Sequence, residues 1–83
     1  MRIYMQTRPQ PSEVLRFYEL LLQEDLLGGW SLVRQWGQLG SRGTLRKDLY
    51  PNQDEAQAAL VAQRDRQLGR GYQVMFIHGS VRH

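Results

Sequence analysis

Apolar and polar residues alternate along residues 30–37, WSLVRQWG, with the period of a half-buried β-strand. One face of this strand carries Trp30, Arg34 and Trp36, whereas Ser31 and Val33 lie on the other. At about 3.3 Å per residue the two tryptophans lie roughly 20 Å apart, far enough for different environments. We therefore assign Trp30 to the core and Trp36 to a rim of the sheet.

The residues that follow this strand predict a hairpin. LGSRG supplies two glycines three residues apart, as a tight reversal requires, and residues 44–50, TLRKDLY, form the returning strand. Residues 2–7 predict another short strand, which ends at RPQP because proline cannot donate a hydrogen bond to a sheet.

Residues 12–23, SEVLRFYELLLQ, fit two structures. Ser12 could cap a helix, whereas the aromatic residues and leucines after it suit a buried strand. The sequence EDLLGG that follows is typical of a hairpin connection, and an alternating strand comes directly after it. These neighbours favour the strand.

A helix is predicted after Pro51. Asn52 is placed to accept a hydrogen bond from an amide two or three residues ahead, and Glu55 can reach back, which makes a variant capping box. The face that follows helical spacing is small, and two glutamines extend it. It consists of Ala56, Ala59, Leu60, Gln63 and Gln67.

The helix ends at Gly69 or Gly71, and residues 72–77 predict a last strand. Strands, one helix and a final strand indicate an α+β fold, with a small antiparallel β-sheet of about four to five strands and one α-helix packed across it. We expect a single domain over residues 1–83, with a core of about residues 2–77 and a flexible tail at 78–83.

The amino-acid composition excludes several classes of protein. The chain has 83 residues, with 41% hydrophobic and 23% charged residues, as in ordinary globular domains. It contains no cysteine, so disulfides and thiolate metal sites are excluded. No apolar run is long enough for a membrane span or a secretory signal, so we expect a cytoplasmic protein without a membrane partner.

Groups that support catalysis are sparse. The two histidines, His78 and His83, both follow the last aromatic segment, so converging metal ligands are not expected. The neighbouring carboxylates Asp54 and Glu55 are better explained as charges that complement a helix dipole. Ser12, Ser31 and Ser41 have no histidine base nearby in sequence. The sequence therefore predicts a protein that is not an enzyme and has no cofactor or metal.

Positive charge concentrates on the predicted hairpin. The net charge is +3, but residues 26–47 contain four cationic side chains and no Asp or Glu. The cations are Arg34, Arg42, Arg46 and Lys47. With Trp36 among them, they suit a phosphate-and-sugar surface, because guanidinium groups bind phosphates and an indole packs on sugar or base. The alternative is that Trp36 fills the core and the cations coat a solvated hairpin.

Residues 16–74 resemble a WGR domain, a module found in poly(ADP-ribose) polymerases and in small stand-alone bacterial proteins. The similarity begins at the RFYEL strand and continues through GGW, the strand ending in WGQ, the SRG reversal, the alanine-containing helix and the closing GY. The resemblance implies a small antiparallel sheet crossed by one helix. In the polymerases, the module contacts DNA near a strand break.

The resemblance also assigns roles to three residues. Trp36 and Gly37 take the first two motif positions, where the tryptophan packs on a terminal nucleotide. The third position, an arginine in the family, is Gln38, a neutral donor that cannot make the charge-assisted bond. Arg34 or Arg42 is a candidate to replace that arginine.

Two functions follow from the sequence. The first is a non-enzymatic nucleic-acid-binding module that recognises the backbone or strand ends of DNA, or else RNA. The second is a protein–protein interaction module with little affinity for nucleic acid. Its candidate contact residues, which we assign in the first instance to the core because of their apolar character, are Tyr18, Tyr72, Leu45 and Leu49.

Overall fold

The structure, a computed structural model, describes residues 1–79, which form five β-strands and one α-helix. In chain order these are β1 (Arg2–Thr7), β2 (Arg16–Glu24), β3 (Trp30–Gln38), β4 (Thr44–Tyr50), α1 (Gln53–Gly69) and β5 (Tyr72–His78). The strands make one sheet in the order β4-β3-β2-β1-β5, and every neighbouring pair is antiparallel. With α1 packed across this sheet, the predicted α+β fold is confirmed.

The segment that fitted both a helix and a strand forms β2, the middle strand of the sheet. β1 and β3 supply its backbone partners on both sides. Leu20 and Leu22 are buried on the face that α1 covers. Ser12 caps no helix: it lies in the loop before β2 with a φ of 71°. The strand interpretation of this segment is therefore correct.

The hydrophobic core lies between α1 and one side of the sheet, here called the helix face; the other side is the open face. Trp30 is half-buried and packs against the core without being one of its buried members, so its predicted assignment to the core is confirmed only in part. The buried side chains of the core come from the three strands β1 to β3 and from the helix, and they are Ile3, Met5, Tyr18, Leu20, Leu22, Leu32, Ala56 and Leu60. Burial of these side chains, at roughly 1.5–3 kcal/mol for each large one, is the main stabilisation of the sheet.

The assignment of Leu45 and Leu49 to the core is wrong. They are 62% and 64% exposed, because β4 is an edge strand and both side chains point to the open face. The pairing of Leu45 with Gln35 and of Leu49 with Ser31 places them opposite the face that carries the tryptophans. Tyr18, by contrast, is a buried member of the core, and Tyr72 packs against it.

The helix begins as the sequence predicts. The side-chain oxygen of Asn52 accepts a hydrogen bond from the Glu55 amide at 2.9 Å, and its side-chain nitrogen donates to the Glu55 carboxylate at 3.2 Å. This pair satisfies an amide that has no partner within the helix. Helix α1 ends at Gly69, and Gly71 takes the left-handed conformation, with φ 99°, that lets the chain turn back into β5.

Replacing Asn52 by Ala is expected to lower the free energy of unfolding by about 1 kcal/mol, because the Glu55 amide loses its acceptor. Chemical denaturation followed by circular dichroism measures the change. Asn52→Asp keeps an acceptor at the same place and should remain close to the original stability. Equal losses in both variants would contradict a capping role.

Strand β5 reaches one residue further than predicted. It runs to His78, so His78 belongs to the sheet and not to a tail. The centroid of the His78 ring lies 4.8 Å from that of the Phe76 ring. A register irregularity between Tyr4 and Met5 interrupts its pairing with β1. The remainder of the predicted tail, residues 80–83 with His83, lies outside the described residues.

Candidate functional site

The turn between β3 and β4 is held by a close approach of its two ends. Gly43 has a φ of 69°, and a Cβ atom there would overlap the carbonyl oxygen of Trp36. A Cβ on Gly37 would lie 2.7 Å from the Cα of Gly43, so both positions require glycine. The backbone amide and hydroxyl of Ser41 donate to the Gln38 carbonyl at 3.0 and 2.7 Å. The reversal predicted from LGSRG is therefore a tight, hydrogen-bonded turn.

This turn is also tied to the loop before β2. The Leu39 amide donates to the Leu15 carbonyl at 2.8 Å, and the side chain of Gln35 donates to the Arg42 carbonyl at 2.7 Å. Gln38 and the Arg42 side chain are exposed. The sequence placed these two residues at a binding surface, and the fold leaves both accessible to solvent.

Trp36 lies on the helix face and is half-buried against the core. Its ring stacks on Tyr18, with 5.6 Å between the centroids and 12° between the planes. The guanidinium carbon of Arg34 lies 5.5 Å from the Trp36 ring centroid. Trp36 thus combines the two interpretations of the sequence, since it packs against the core and also lines an open groove described below.

Arg34 is held inside the structure. It donates to the Tyr18 hydroxyl and to the Asp48 carboxylate, at 3.3 Å each, and its side chain is only 15% exposed. The Tyr18 hydroxyl in turn donates to Gln63 at 3.4 Å. Burial works to lower the pKa of the Arg34 guanidinium, but the hydrogen bonds and charges of Tyr18 and Asp48 outweigh it and raise the pKa. Arg34 therefore stays cationic and cross-links β2, β3 and β4.

The other hairpin cations have different surroundings. Arg46 pairs with Asp48 at 3.3 Å. Lys47 pairs with Asp25 at 3.6 Å, and its register opposite Val33 places it on the open face, away from Trp36. Of the four cations in this hairpin, Arg42 is the one without a carboxylate partner among residues 1–79. Asp25 and Asp48 lie directly outside the segment that the sequence identified as cationic.

An open groove of about 800 Å³ lies beside Trp36, between the second half of α1 and the sheet. Its aromatic wall consists of Tyr18, Trp36 and Tyr72. The polar side chains of the helix that face it include Gln63 and Gln67, which continue the helix face predicted from the sequence. The rest of its lining comes from the end of β1, the loop before β2, the start of β2, the middle of β3 and the end of α1 with its cap: Thr7, Ser12, Glu13, Val14, Arg16, Arg34, Arg66 and Arg70.

The groove is positively charged. Arg16, Arg66 and Arg70 are exposed, and none of them pairs with a carboxylate among residues 1–79. Glu13 is the one acidic residue among the described lining residues. Burial raises the pKa of the Tyr72 hydroxyl, although the positive charges of Arg16 and Arg70 act to lower it. Tyr72 therefore remains a neutral hydroxyl near the guanidinium groups of Arg16 and Arg70.

The amino-acid sequence contains only a weak signal for this groove. Arg66, in the last turn of α1, and Arg70, the residue that caps it, lie four residues apart, although they also suit the negative end of the helix dipole. Gln63 and Gln67 are polar residues at positions where an apolar helix face would continue. Arg16 has no such signal, because its place beside the helix end depends on the folded sheet.

The side chains that line the groove are of the kinds that bind a ligand. Its described lining contains aromatic faces, amides and guanidinium donors, and no histidine, cysteine or pair of carboxylates. Across residues 1–79, no cluster of three or more His, Cys, Asp or Glu side chains is placed to hold a metal ion. The helix found in those residues is not long and apolar enough to cross a membrane.

A model of the family described as WGR domain matches residues 1–75. The match extends from β1 to the first half of β5, so it includes every described residue of the groove. No curated protein and no solved structure matches the chain.

Proposed function

Because the chain belongs to the WGR domain family, whose members are binding modules, we propose that it binds nucleic acid at the groove and catalyses no reaction. The family is associated with nucleic-acid binding in proteins similar to the poly(ADP-ribose) polymerases. The partner that suits this groove best is DNA, at its backbone or at a strand end.

One observation carries the proposal: an aromatic wall shares one groove with three arginines that have no carboxylate partner among residues 1–79. Arg16, Arg66 and Arg70 offer planar donors that match the oxygens of a phosphate. Trp36 and Tyr72 offer flat surfaces on which a sugar or base packs. Since nucleic acid alternates phosphates with flat bases, it satisfies both sets of groups at once.

The shape of the groove favours a strand end over the middle of a duplex. A volume of about 800 Å³ lies in the range of pockets that take a small molecule. A base within a duplex is stacked on both sides, whereas a terminal base is stacked on one side. A terminal nucleotide therefore loses less stacking energy when it leaves its neighbour and enters a groove of this size. The turn with Gln38 and Arg42 would then meet the adjoining backbone.

Arg42 is the better substitute for the arginine that the family motif places at Gln38. Its charge is not neutralised by any carboxylate of residues 1–79, whereas Arg34 is bound by Tyr18 and Asp48. Arg46 and Lys47 contribute less, because a phosphate would have to displace Asp48 or Asp25 from them.

Fluorescence anisotropy with labelled oligonucleotides tests the proposal. A nicked duplex, a blunt duplex, a closed dumbbell without ends and an RNA duplex are compared at several salt concentrations. Three or four neutralised phosphates give a slope of log affinity against log salt of about −3. We expect the nicked and blunt DNA to bind more tightly than the dumbbell. Absence of binding at low salt would reject the proposal, and equal binding of the dumbbell would reject the preference for ends.

Trp36→Ala is expected to weaken binding of the end-containing duplex by about 1–3 kcal/mol, the usual contribution of an aromatic ring stacked on a base. Trp30→Ala is the matched control, since Trp30 is a half-buried tryptophan on the same face of β3 at its other end. Anisotropy titrations of both variants, with folding checked by circular dichroism, measure the difference. If the two variants lose affinity equally, Trp36 has no specific role.

A second candidate function is protein binding, which the exposed leucines favour. Leu26 and Leu27, at the turn between β2 and β3, are 103% and 94% exposed, and Leu45 and Leu49 are exposed on the open face. A pull-down with nuclease treatment separates the two functions. Partners that persist after nuclease and are lost in a Leu26→Ser, Leu27→Ser variant would indicate a protein partner.

A further inference from the structure

Two arginines face each other on the helix face of the β3–β4 hairpin. Arg34 and Arg46 are directly opposed in the register of these strands. Like charges at directly opposed positions of a sheet repel each other. Because the Arg34 side chain is only 15% exposed, water screens its repulsion from Arg46 poorly.

Asp48 resolves this repulsion. One oxygen of its carboxylate accepts from Nη2 of Arg34 at 3.3 Å, and the other accepts from Nε of Arg46 at 3.3 Å. Among residues 1–79, neither guanidinium has another carboxylate within ion-pair distance. Asp48 is not a lining residue of the groove, so it acts there only through Arg34.

The other end of Arg34 reaches the aromatic wall. Its Nη1 donates to the Tyr18 hydroxyl at 3.3 Å, and its guanidinium carbon lies 5.5 Å from the Trp36 ring centroid. Tyr18 and Trp36 stack on each other. The contacts therefore run without interruption from Asp48 through Arg34 to both rings.

We propose that Asp48 is a positioning residue, which holds Arg34 against Tyr18 and Trp36 and thereby fixes the aromatic wall that receives a nucleotide. The inference rests on the proposed function of the groove. Without the carboxylate, Arg34 and Arg46 repel, Arg34 turns toward solvent, and the Trp36 ring loses its fixed neighbour. Asp48 thus favours recognition of an end, although its own negative charge repels phosphates.

This combination gives Asp48→Asn an unusual expected result. The substitution removes one negative charge, so the closed dumbbell should bind equally well or more tightly. The nicked duplex should lose affinity relative to the dumbbell, so that the ratio of nicked-duplex affinity to dumbbell affinity falls roughly threefold to tenfold. Glu24→Gln is the control, since it changes the charge equally at the exposed far end of β2. A role of charge alone predicts an unchanged ratio in both variants and would overturn the inference.

A second measurement needs no nucleic acid. In two-dimensional ¹H–¹⁵N spectra, Asp48→Asn should move the indole resonance of Trp36 and the Nε resonance of Arg34, and leave the Trp30 indole in place. Unchanged Trp36 and Arg34 resonances would overturn the positioning role. If the original protein binds no oligonucleotide, the proposed function fails, and these spectra still decide the role of Asp48. Should Asp48→Asn not fold, Asp48→Thr removes the same carboxylate with a residue that strands favour.

Discussion

Replacing Arg16, Arg66 and Arg70 together by glutamine is expected to remove most of the affinity for nucleic acid and to flatten its dependence on salt. These arginines line the groove and have no carboxylate partner among residues 1–79. A hydrogen bond to a charged group contributes about 1.5–3 kcal/mol, so three of them correspond to a loss of roughly a thousandfold or more. Because three phosphate contacts disappear, the salt slope should decrease in magnitude by about 2.7.

A matched triple variant separates the groove from the overall charge. Replacing Arg2, Arg8 and Arg64 by glutamine removes the same three positive charges from residues that do not line the groove. Anisotropy titrations from low to physiological salt should give this variant nearly the original slope and affinity. Equal losses in the two triple variants would show that net charge attracts the nucleic acid and that the groove is not its site.

The second large effect concerns the turn beside Trp36. Gly43→Ala is expected to lower the free energy of unfolding by about 2–4 kcal/mol, because two costs combine. A side chain at φ 69° is strained, and its Cβ would also overlap the Trp36 carbonyl oxygen. The turn must then open, which displaces Trp36. Affinity for an end-containing duplex should therefore fall together with stability.

Gly40 is the control for this substitution. It lies in the same turn with a φ of 90°, but a Cβ there meets no atom within 4 Å. Gly40→Ala should therefore cost only the conformational strain, about 1–2 kcal/mol, and leave binding almost unchanged. Urea denaturation followed by tryptophan fluorescence measures the free energy of unfolding of both variants. Equal stability losses would mean that the approach of Gly43 to Trp36 does not constrain the turn.

Local patterns predicted the elements well because their causes act within a few residues. Alternation along WSLVRQWG defines β3, and the hydrogen bonds between Asn52 and Glu55 fix the start of α1. The end of β5 was less clear, since His78 continues the strand through its pairing with Arg2, far away in sequence. Strand ends that depend on a distant partner carry little local signal.

The candidate site was predicted only in part. The sequence and the family resemblance pointed to Trp36, Gly37 and the turn with Arg42, all of which lie in one hairpin, and of these Trp36 lines the groove. Counting charges along the chain overestimated the free cations there, because Asp48 neutralises Arg34 and Arg46 and Asp25 neutralises Lys47. Whether an ion pair forms depends on which side chains the folded sheet brings together, and a count of charges along the sequence does not show this.

By itself, the sequence determined the strands, the helix with its cap, the fold class and the membership of the WGR domain family. Only the tertiary structure decided where the groove lies. Ala56 and Leu60 pack the first half of α1 closely on the sheet, whereas Gln63 and Gln67 line an open space under its second half. Arg16 reaches that space from a strand that is distant in sequence, because packing of α1 across the sheet brings it beside the helix end.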